Sequence, residues 1–214
     1  MRPILMGDRV DPASCQRAYF DSLASTWDSC APVSPLFVKS LLHLMGVSRG
    51  DSVVDVGAGT GILVPALARA VGPDGAVHAV DPSPAMLRHA SLKMAARPST
   101  THLCFHLAFA ESLPVAAGKA DGVLFMRSYL HFGDKGKALL EARRALRPGG
   151  RLAIAHPEGC STVNARHADA GLALEGHVLD PPETLRRQML QAGFVSAEVV
   201  GVGDGFIIVG RKPS

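Results

Sequence analysis

The sequence has few of the features that mark membrane-spanning or disulfide-rich proteins. None of its 214 residues lies in an apolar run approaching the roughly 18 residues that a bilayer-spanning helix needs. Aromatic residues make up only 5% of the chain. The N-terminal stretch reaches Gly7 and Asp8 too early for the apolar region of a signal peptide. We therefore expect a protein with no membrane span that resides in the cytoplasm.

Cysteine is scarce and scattered. The four cysteines form no CxxC pair, which favours free thiols in a reducing compartment over a disulfide or a metal site. The net charge is only +3. Its one basic group, Arg143, Arg144 and Arg147, lies where a predicted helix ends, a place that suits the helix dipole. No nucleic-acid partner is needed to explain this charge. The cysteines are Cys15, Cys30, Cys104 and Cys160.

Apolar runs typical of buried strands alternate with helical segments along most of the chain. Strand runs without polar alternation, separated by helices, predict a parallel sheet covered on both faces. We therefore predict an α/β three-layer sandwich with a doubly wound, mainly parallel, seven-stranded sheet. The strand-like runs are 52–56, 76–80, 103–107, 122–126 and 151–155, and the helical segments between them include 62–71, 84–96 and 135–147.

The two ends of the chain complete this prediction. Asp11-Pro12 and Ser34-Pro35 each offer an N-cap followed by proline, so two helices should open the chain within residues 1–46. Asp180 to Glu183 resembles a capping box that starts a helix. Runs 195–202 and 206–211 then flank Gly203-Asp204-Gly205 as an antiparallel hairpin. With no repeat or linker, residues 1–214 are predicted to form a single domain.

The most informative segment is a glycine-rich turn between a strand and a helix. Such a turn lets a ligand approach bare backbone at the carboxyl edge of a sheet. The second strand ends at Asp81, about twenty residues further on, where a carboxylate can bind ribose hydroxyls. A dinucleotide site would space its glycines as GxGxxG, whereas Gly57, Gly59 and Gly61 follow GxGxG. A nucleotide-dependent dehydrogenase is therefore the weaker alternative.

The run DVGAGTG at 55–61 resembles the signature of class I S-adenosylmethionine-dependent methyltransferases. The resemblance continues through AVDPSPAML at 79–87, AESLP at 110–114 and ALRPGGRL at 145–152. It extends over roughly residues 20–155 in the order expected of the family. The segment FDSLASTWD at 20–28 is similar to the entry segment of quinone-biosynthesis methyltransferases and their small-molecule relatives.

This resemblance implies a cofactor, S-adenosylmethionine, and a role for each matching residue. The backbone of 57–61 would hold the amino-acid end of the cofactor, with Asp55 attracting its ammonium group, and Asp81 would bind both ribose hydroxyls. Phe109 stands where the family often has aspartate, which leaves the adenine amine to Glu111 or to backbone. The implied cofactor-binding residues are Asp55, Gly57, Ala58, Gly59, Thr60, Gly61, Asp81, Pro82, Met86, Ala110, Glu111, Met126 and Arg127.

Methyl transfer needs a nucleophile aligned with the methyl group, and a base only where that nucleophile carries a proton. His131 and His156 follow the fourth and fifth predicted strands, so they are the candidate catalytic bases. A neutral imidazole of ordinary pKa takes up a proton near pH 7. The other candidates for the acceptor side are Arg127, Tyr129, Phe132, Glu158, Cys160, Asn164, His167, Asp169 and His177.

His156, Glu158, Cys160 and His167 offer the residue types of a metal site, but their spacing matches no HxxxH or CxxC pattern. We therefore expect no metal. The histidines within or beside the other predicted elements, including His78 and His106, are assigned to packing or to the surface. Cys104 is assigned to the core.

The sequence thus predicts an enzyme that transfers a methyl group from S-adenosylmethionine to a small molecule. A quinone-like or phenolic ring is favoured over a thiol. The N-terminal helices (1–46) should form a lid, and residues 157–180 a loop at the acceptor site. The alternative in another class is a non-catalytic adaptor that retains the cofactor fold.

Overall fold

The computed structural model describes residues 12–30, 32–97, 99–170 and 174–214. Eight α-helices and seven strands occur in these ranges. The helices are α1 (Pro12–Leu23), α2 (Trp27–Cys30), α3 (Pro35–Met45), α4 (Val64–Val71), α5 (Pro84–Ala95), α6 (Lys135–Ala145), α7 (Cys160–Asp169) and α8 (Pro182–Gln191). The strands are β1 (Ser52–Val56), β2 (Ala76–Asp81), β3 (His102–Leu107), β4 (Ala120–Met126), β5 (Leu146–His156), β6 (Val195–Val202) and β7 (Gly205–Arg211).

The strands form one sheet in the order β3-β2-β1-β4-β5-β7-β6. Strands β1 to β5 run parallel, and β7 pairs antiparallel with both β5 and β6. The chain moves from β1 towards β3 at one edge and then returns to β4, on the other side of β1. This reversal creates a crevice outside the carboxyl ends of β1 and β4, where ligands of such sheets bind. The predicted doubly wound sheet with an antiparallel hairpin is confirmed.

Buried side chains cover both faces of the sheet, because consecutive strand residues point to opposite sides. On one face, Val53, Val77 and Leu124 pack with the apolar sides of α3 and α4. On the other face, Val54 and Phe125 pack with α6 and α8. This alternation explains why the central strands appear as uninterrupted apolar runs in the sequence. Helices on both faces give the predicted three layers.

The opening of the chain contains three helices where two were predicted, because the short helix α2 follows α1. Ser34 is the N-cap of α3, and its hydroxyl accepts a hydrogen bond from the Leu36 amide at 3.2 Å. The predicted N-cap Asp11 lies outside the described residues. Within the described ranges, no helix is long and apolar enough to cross a membrane.

Two predictions near the end of the chain are wrong. Residues 157–180 are not a loop throughout, since they contain α7, which buries Val163 in the core and holds the Leu179 backbone through Asn164. The capping box is also absent, because Pro181 is the N-cap of α8 and makes no side-chain cap. The Asp180 carboxylate instead lies 4.0 Å from the Lys135 ammonium.

Candidate functional site

The site lies where β1 and β4 end side by side. Gly57 follows β1 with a φ of 71° and approaches Ser128 so closely that a Cβ atom on it would lie 2.3 Å from the Ser128 Cβ. The buried Ser128 hydroxyl donates a hydrogen bond to the Val56 carbonyl at 2.7 Å. Gly57 therefore lets two strand ends meet with only a serine side chain between them.

Asp81, at the end of β2, holds two neighbouring turns. One carboxylate oxygen accepts the Gly59 amide at 2.8 Å, and the other accepts the Ser83 amide at 2.8 Å. A carboxylate oxygen can accept two hydrogen bonds, so each retains capacity for one more. Asp81 is 7% exposed and lines a cavity, which makes that capacity available to a ligand.

Two buried carboxylates, those of Asp81 and Asp55, lie close to this turn. Burial raises the pKa of Asp81 to about 6, against the opposing effect of the two amide bonds. Burial and the nearby Asp81 raise the pKa of Asp55 to about 7. Both shifts arise because a charged carboxylate loses hydration inside the protein. A cationic or hydrogen-bond-donating ligand at this place would offset part of that cost.

A cavity of about 990 Å³, called here the larger cavity, opens in front of the glycine turn. Most of the predicted cofactor-binding residues border it. Asp55, Thr60 and Gly61 do not, since Asp55 is buried behind the turn and the Thr60 hydroxyl donates to Asp28. The predicted residues that border the cavity are Gly57, Ala58, Gly59, Asp81, Pro82, Met86, Ala110, Glu111, Met126 and Arg127.

Two aspartates bind the N-terminal segment to this turn and its neighbour. Asp21 of α1 accepts hydrogen bonds from the Ser83 hydroxyl and, at 3.3 Å, from the Ala85 amide. Asp28 of α2 accepts the Thr60 hydroxyl and pairs with Lys93 at 2.5 Å. The segment therefore contacts the turns after both β1 and β2.

A second cavity of about 640 Å³, called here the smaller cavity, adjoins the larger one. Its walls come from the N-terminal helices, the ends of β4 and β5, α7, and the β6–β7 turn. The surface is largely aromatic and apolar, with a few charged groups. Four residues border both cavities and mark the place where they meet: Phe20, Trp27, Arg127 and His131.

His131 belongs to a cluster of histidines at this junction. Its Nδ1 atom lies 2.9 Å from Nδ1 of His177, so one ring donates and the other accepts. His167 is 5.1 Å from His131, ring centre to ring centre, and its Nδ1 lies 2.8 Å from the His177 carbonyl, to which it donates. Burial, together with the neighbouring histidines and Lys135, holds the pKa of His131 well below its usual value. His131 is therefore a neutral ring at pH 7.

His156 borders the smaller cavity but not the larger one. Its Nδ1 atom lies 3.2 Å from both the amide nitrogen and the carbonyl oxygen of Glu158. Burial and the nearby Arg127 lower the pKa of His156 to about 4. The Glu158 carboxylate bonds both Arg127 at 3.2 Å and Arg166 at 2.5 Å. This side of the cavity thus presents a neutral imidazole beside a network of paired charges.

Several sequence candidates for the acceptor side point elsewhere. The Tyr129 ring is buried in the core, and its hydroxyl donates to Gln188 at 3.0 Å. Asn164 binds the Leu179 backbone, and the Cys160 thiol lies 3.4 Å from the Asp180 carbonyl. Two arginines bind Glu158, and the Cys160 thiol and the His167 ring each contact a backbone carbonyl. The side chains considered for a metal site are therefore already engaged. Of the other candidates, Glu158 and His167 border the smaller cavity, and Phe132 and His177 the larger one.

Sequence analysis assigned no role to Ser128, Phe20 or Trp27, which shape the site. Ser128 is found only once β1 and β4 are known to be neighbours, because it lies 72 positions from Val56. Phe20 and Trp27 could have been found, since they belong to the 20–28 segment already noted as similar to methyltransferases.

The reversed sheet, the glycine turn and the carboxylate at the end of β2 define a Rossmann-like α/β fold with a ligand crevice at this edge. Residues 53–150 match a family model described as a methyltransferase domain. A UbiE ubiquinone/menaquinone biosynthesis C-methyltransferase of Hydrogenovibrio crunogenus is 26% identical over 222 residues, with 91% of this chain and 87% of the relative covered. A SAM-dependent methyltransferase of Aquifex aeolicus has the same fold, with a TM-score of 0.71, 21% identity, and coverage of 95% and 99%.

These comparisons support a class I S-adenosylmethionine-dependent methyltransferase that resembles the quinone-biosynthesis enzymes. S-adenosylmethionine is the cofactor of this family. An uncharacterized 37.1 kDa protein in transposon TN4556 of Streptomyces fradiae is 31% identical over 197 residues, which cover 88% of this chain. The match spans 55% of that protein, so the chain corresponds to about half of its length.

The close approach of Gly57 to Ser128 generates a stability prediction. In Gly57→Ala the new methyl group collides with the Ser128 side chain, whereas in Gly50→Ala it enters open space at a similarly positive φ of 85°. Overpacking typically costs about 1–3 kcal/mol. We expect Gly57→Ala to lower the free energy of unfolding in urea by that much more than Gly50→Ala does. Equal losses in the two variants would show that the turn can move away from Ser128.

Proposed function

We propose that this protein transfers a methyl group from S-adenosylmethionine, held in the larger cavity, to a small molecule bound in the smaller cavity. The observation that carries the proposal is the junction of the two cavities at Phe20, Trp27, Arg127 and His131. A donor and an acceptor in adjoining cavities would lie close enough for the protein to align them for in-line displacement. Such alignment can supply up to about 7–11 kcal/mol of the barrier.

The residues of the larger cavity fit the donor. A Cβ atom on Gly59 would meet nothing nearer than the Trp27 indole nitrogen at 3.8 Å, so the turn offers open backbone to a ligand. We assign the ribose hydroxyls to the two Asp81 oxygens, each of which already accepts one amide. Phe109 is 49% exposed beside the cavity and offers a ring face to the adenine in place of the family's carboxylate. When bound, the cofactor supplies an electrophilic methyl group.

The smaller cavity favours a compact acceptor with a ring. Its volume of about 640 Å³ lies within the usual range of about 300–1,000 Å³ for small-molecule sites. Tyr19, Phe20, Trp27 and Phe37 line it from the N-terminal helices. These aromatic walls support a phenolic or quinone-like acceptor over a polymer. The position of the helices over the cavity supports their role as a lid.

His131 is the proposed base for a protonated acceptor such as a phenol. Its Nδ1 is engaged with His177, which leaves Nε2 to take the proton of an acceptor hydroxyl. The protonated ring would then donate from Nδ1 to His177, provided that His177 accepts at that atom. His156, which borders only the smaller of the two cavities, is proposed to bind the acceptor and to serve as the second candidate base.

Incubation with isotopically labelled donor and a metabolite extract tests the proposed function directly. We expect a labelled small-molecule product that depends on the protein. Tight binding of S-adenosylhomocysteine without any labelled product would favour the non-catalytic adaptor.

Cofactor binding by Asp81 is tested by calorimetry with S-adenosylhomocysteine. Asp81→Asn retains one acceptor for the turn amides but loses the charge, and hydrogen bonds to a charged group are each worth about 1.5–3 kcal/mol. We expect at least about tenfold weaker binding. Asp74→Asn, which changes an exposed carboxylate in the turn after α4, should bind as the wild type does. Unchanged affinity in Asp81→Asn would place the ribose elsewhere.

Base catalysis by His131 is tested on the acceptor found above. His131→Ala should lower turnover by about 10²–10⁴-fold and leave S-adenosylhomocysteine affinity within a few-fold. The exposed His43→Ala is the matched control and should have no effect on either quantity.

The pH profile gives a second measurement. Because the pKa of His131 is lowered well below its usual value, the base stays neutral at pH 7. The His131-dependent fall in rate should therefore occur at lower pH than the ordinary imidazole pKa that the sequence alone suggests. A loss of only a few-fold in His131→Ala, with the pH profile preserved, would leave alignment without base catalysis as the mechanism.

A further inference from the structure

Three metal-ligating side chains come together on the edge of the sheet, away from both cavities. They are His78 on β2 and Cys104 and His106 on β3, and their ligand atoms all lie within 4.8 Å of one another. Among the residues that the structure describes, no other group of three histidine, cysteine, aspartate or glutamate side chains meets this criterion. None of the three takes part in the proposed methyl transfer.

The register of the sheet explains why they meet. His78 lies directly opposite Cys104 in the parallel pairing of β2 and β3, and His106 is two residues further along β3, on the same face. Leu103 and Phe105, which alternate with these residues along β3, pack on the other face, which α4 and α5 cover. Three ligand groups therefore project from two hydrogen-bonded strands.

This face of the sheet edge is open to solvent. Residues 108–119 connect β3 to β4 through turns, without a helix that would cover it. All three side chains are accordingly only half-buried. An ion can reach them without any rearrangement of the core.

The distances suit zinc. Nδ1 of His78 lies 3.2 Å from Nε2 of His106. Two nitrogens bound to Zn²⁺ at about 2.0–2.1 Å with tetrahedral angles lie about 3.3 Å apart. The histidine nitrogens thus already have the separation that a tetrahedral zinc ion imposes, and the nearby thiol adds a third ligand of a type that zinc prefers.

The protonation of the cluster is also compatible with zinc. A hydrogen bond between two ring nitrogens requires at least one neutral ring, and a neutral ring is the form that binds zinc. With zinc bound, His78 would carry its proton on Nε2 and His106 on Nδ1. The Cys104 thiol would lose its proton to solvent, because the thiolate is the ligand.

We propose that His78, Cys104 and His106 form a zinc site, with water as the fourth ligand. The ion would link the edge strand β3 to β2 through ligands on both strands. These strands end at Leu107 and Asp81, directly before residues that border the larger cavity. The site is thus placed to stabilise the sheet edge beside the cofactor, and it is independent of the proposed methyl transfer.

Titration of the full chain, first freed of metal with a chelator, tests the site. Zn²⁺ is added in competition with a chromophoric chelator, and Co²⁺ is added while absorption is followed. We expect one equivalent of each ion to bind, with a thiolate-to-cobalt charge-transfer band. His78→Ala, Cys104→Ser and His106→Ala should each weaken zinc binding by more than the roughly 10–100-fold that loss of an outer-shell partner costs. Cys104→Ser should also remove the charge-transfer band.

Cys30→Ser and His43→Ala are the matched controls, since both residues are exposed and lie on other elements. Both should bind zinc as the wild type does. Circular dichroism and thermal unfolding without metal verify that the three ligand variants remain folded. Absence of stoichiometric binding, a charge-transfer band that persists in Cys104→Ser, or an equal loss in the controls would each overturn the zinc site. Calorimetry with S-adenosylhomocysteine on the same samples tests the proposed function separately.

Discussion

The site depends on one buried carboxylate, that of Asp81, which bonds the backbone of two different turns. Gly59 belongs to the turn after β1 and Ser83 to the turn after β2, so the two amide bonds fix the ends of neighbouring strands against each other. Desolvation opposes this arrangement, as the raised pKa of about 6 shows. A charged group kept in place against that cost is a frequent property of functional sites, where a ligand supplies the remaining hydrogen bonds.

The N-terminal helices extend the same principle. Asp21 and Asp28 bond Ser83 and Thr60, which belong to the turns that Asp81 joins. Helices α1 and α2 are thus anchored to these turns by polar contacts, whereas α3 packs its apolar side into the core. The Asp28–Lys93 pair is partly exposed, and such ion pairs contribute at most about 1 kcal/mol each. An anchor of this kind suits the proposed role of the segment as a lid.

The sequence predicted the fold and most of the residues that border the larger cavity, because both depend on local signals. The strand 52–56 and the turn glycines follow from an uninterrupted apolar run and from residues that favour a positive φ. The errors concern contacts between distant residues. Ser128 opposes Gly57, α7 forms where a loop was expected, and the Asp180 carboxylate lies beside Lys135 instead of capping α8. No local pattern indicates these contacts, since they can be recognised only when the strand order is known.

Strand β3 has a sequence pattern that already indicates an open face, and the prediction that Cys104 belongs to the core disregards it. Along it, the polar or reactive residues His102, Cys104 and His106 alternate with Leu103 and Phe105, a period of two that indicates a half-covered strand. The central strands lack this alternation because helices cover both of their faces. Cys104 was nevertheless assigned to the core, although it shares its face with the histidines. An edge strand of a doubly wound sheet need not be covered on both sides, and its open face can carry chemistry that the covered strands cannot accommodate.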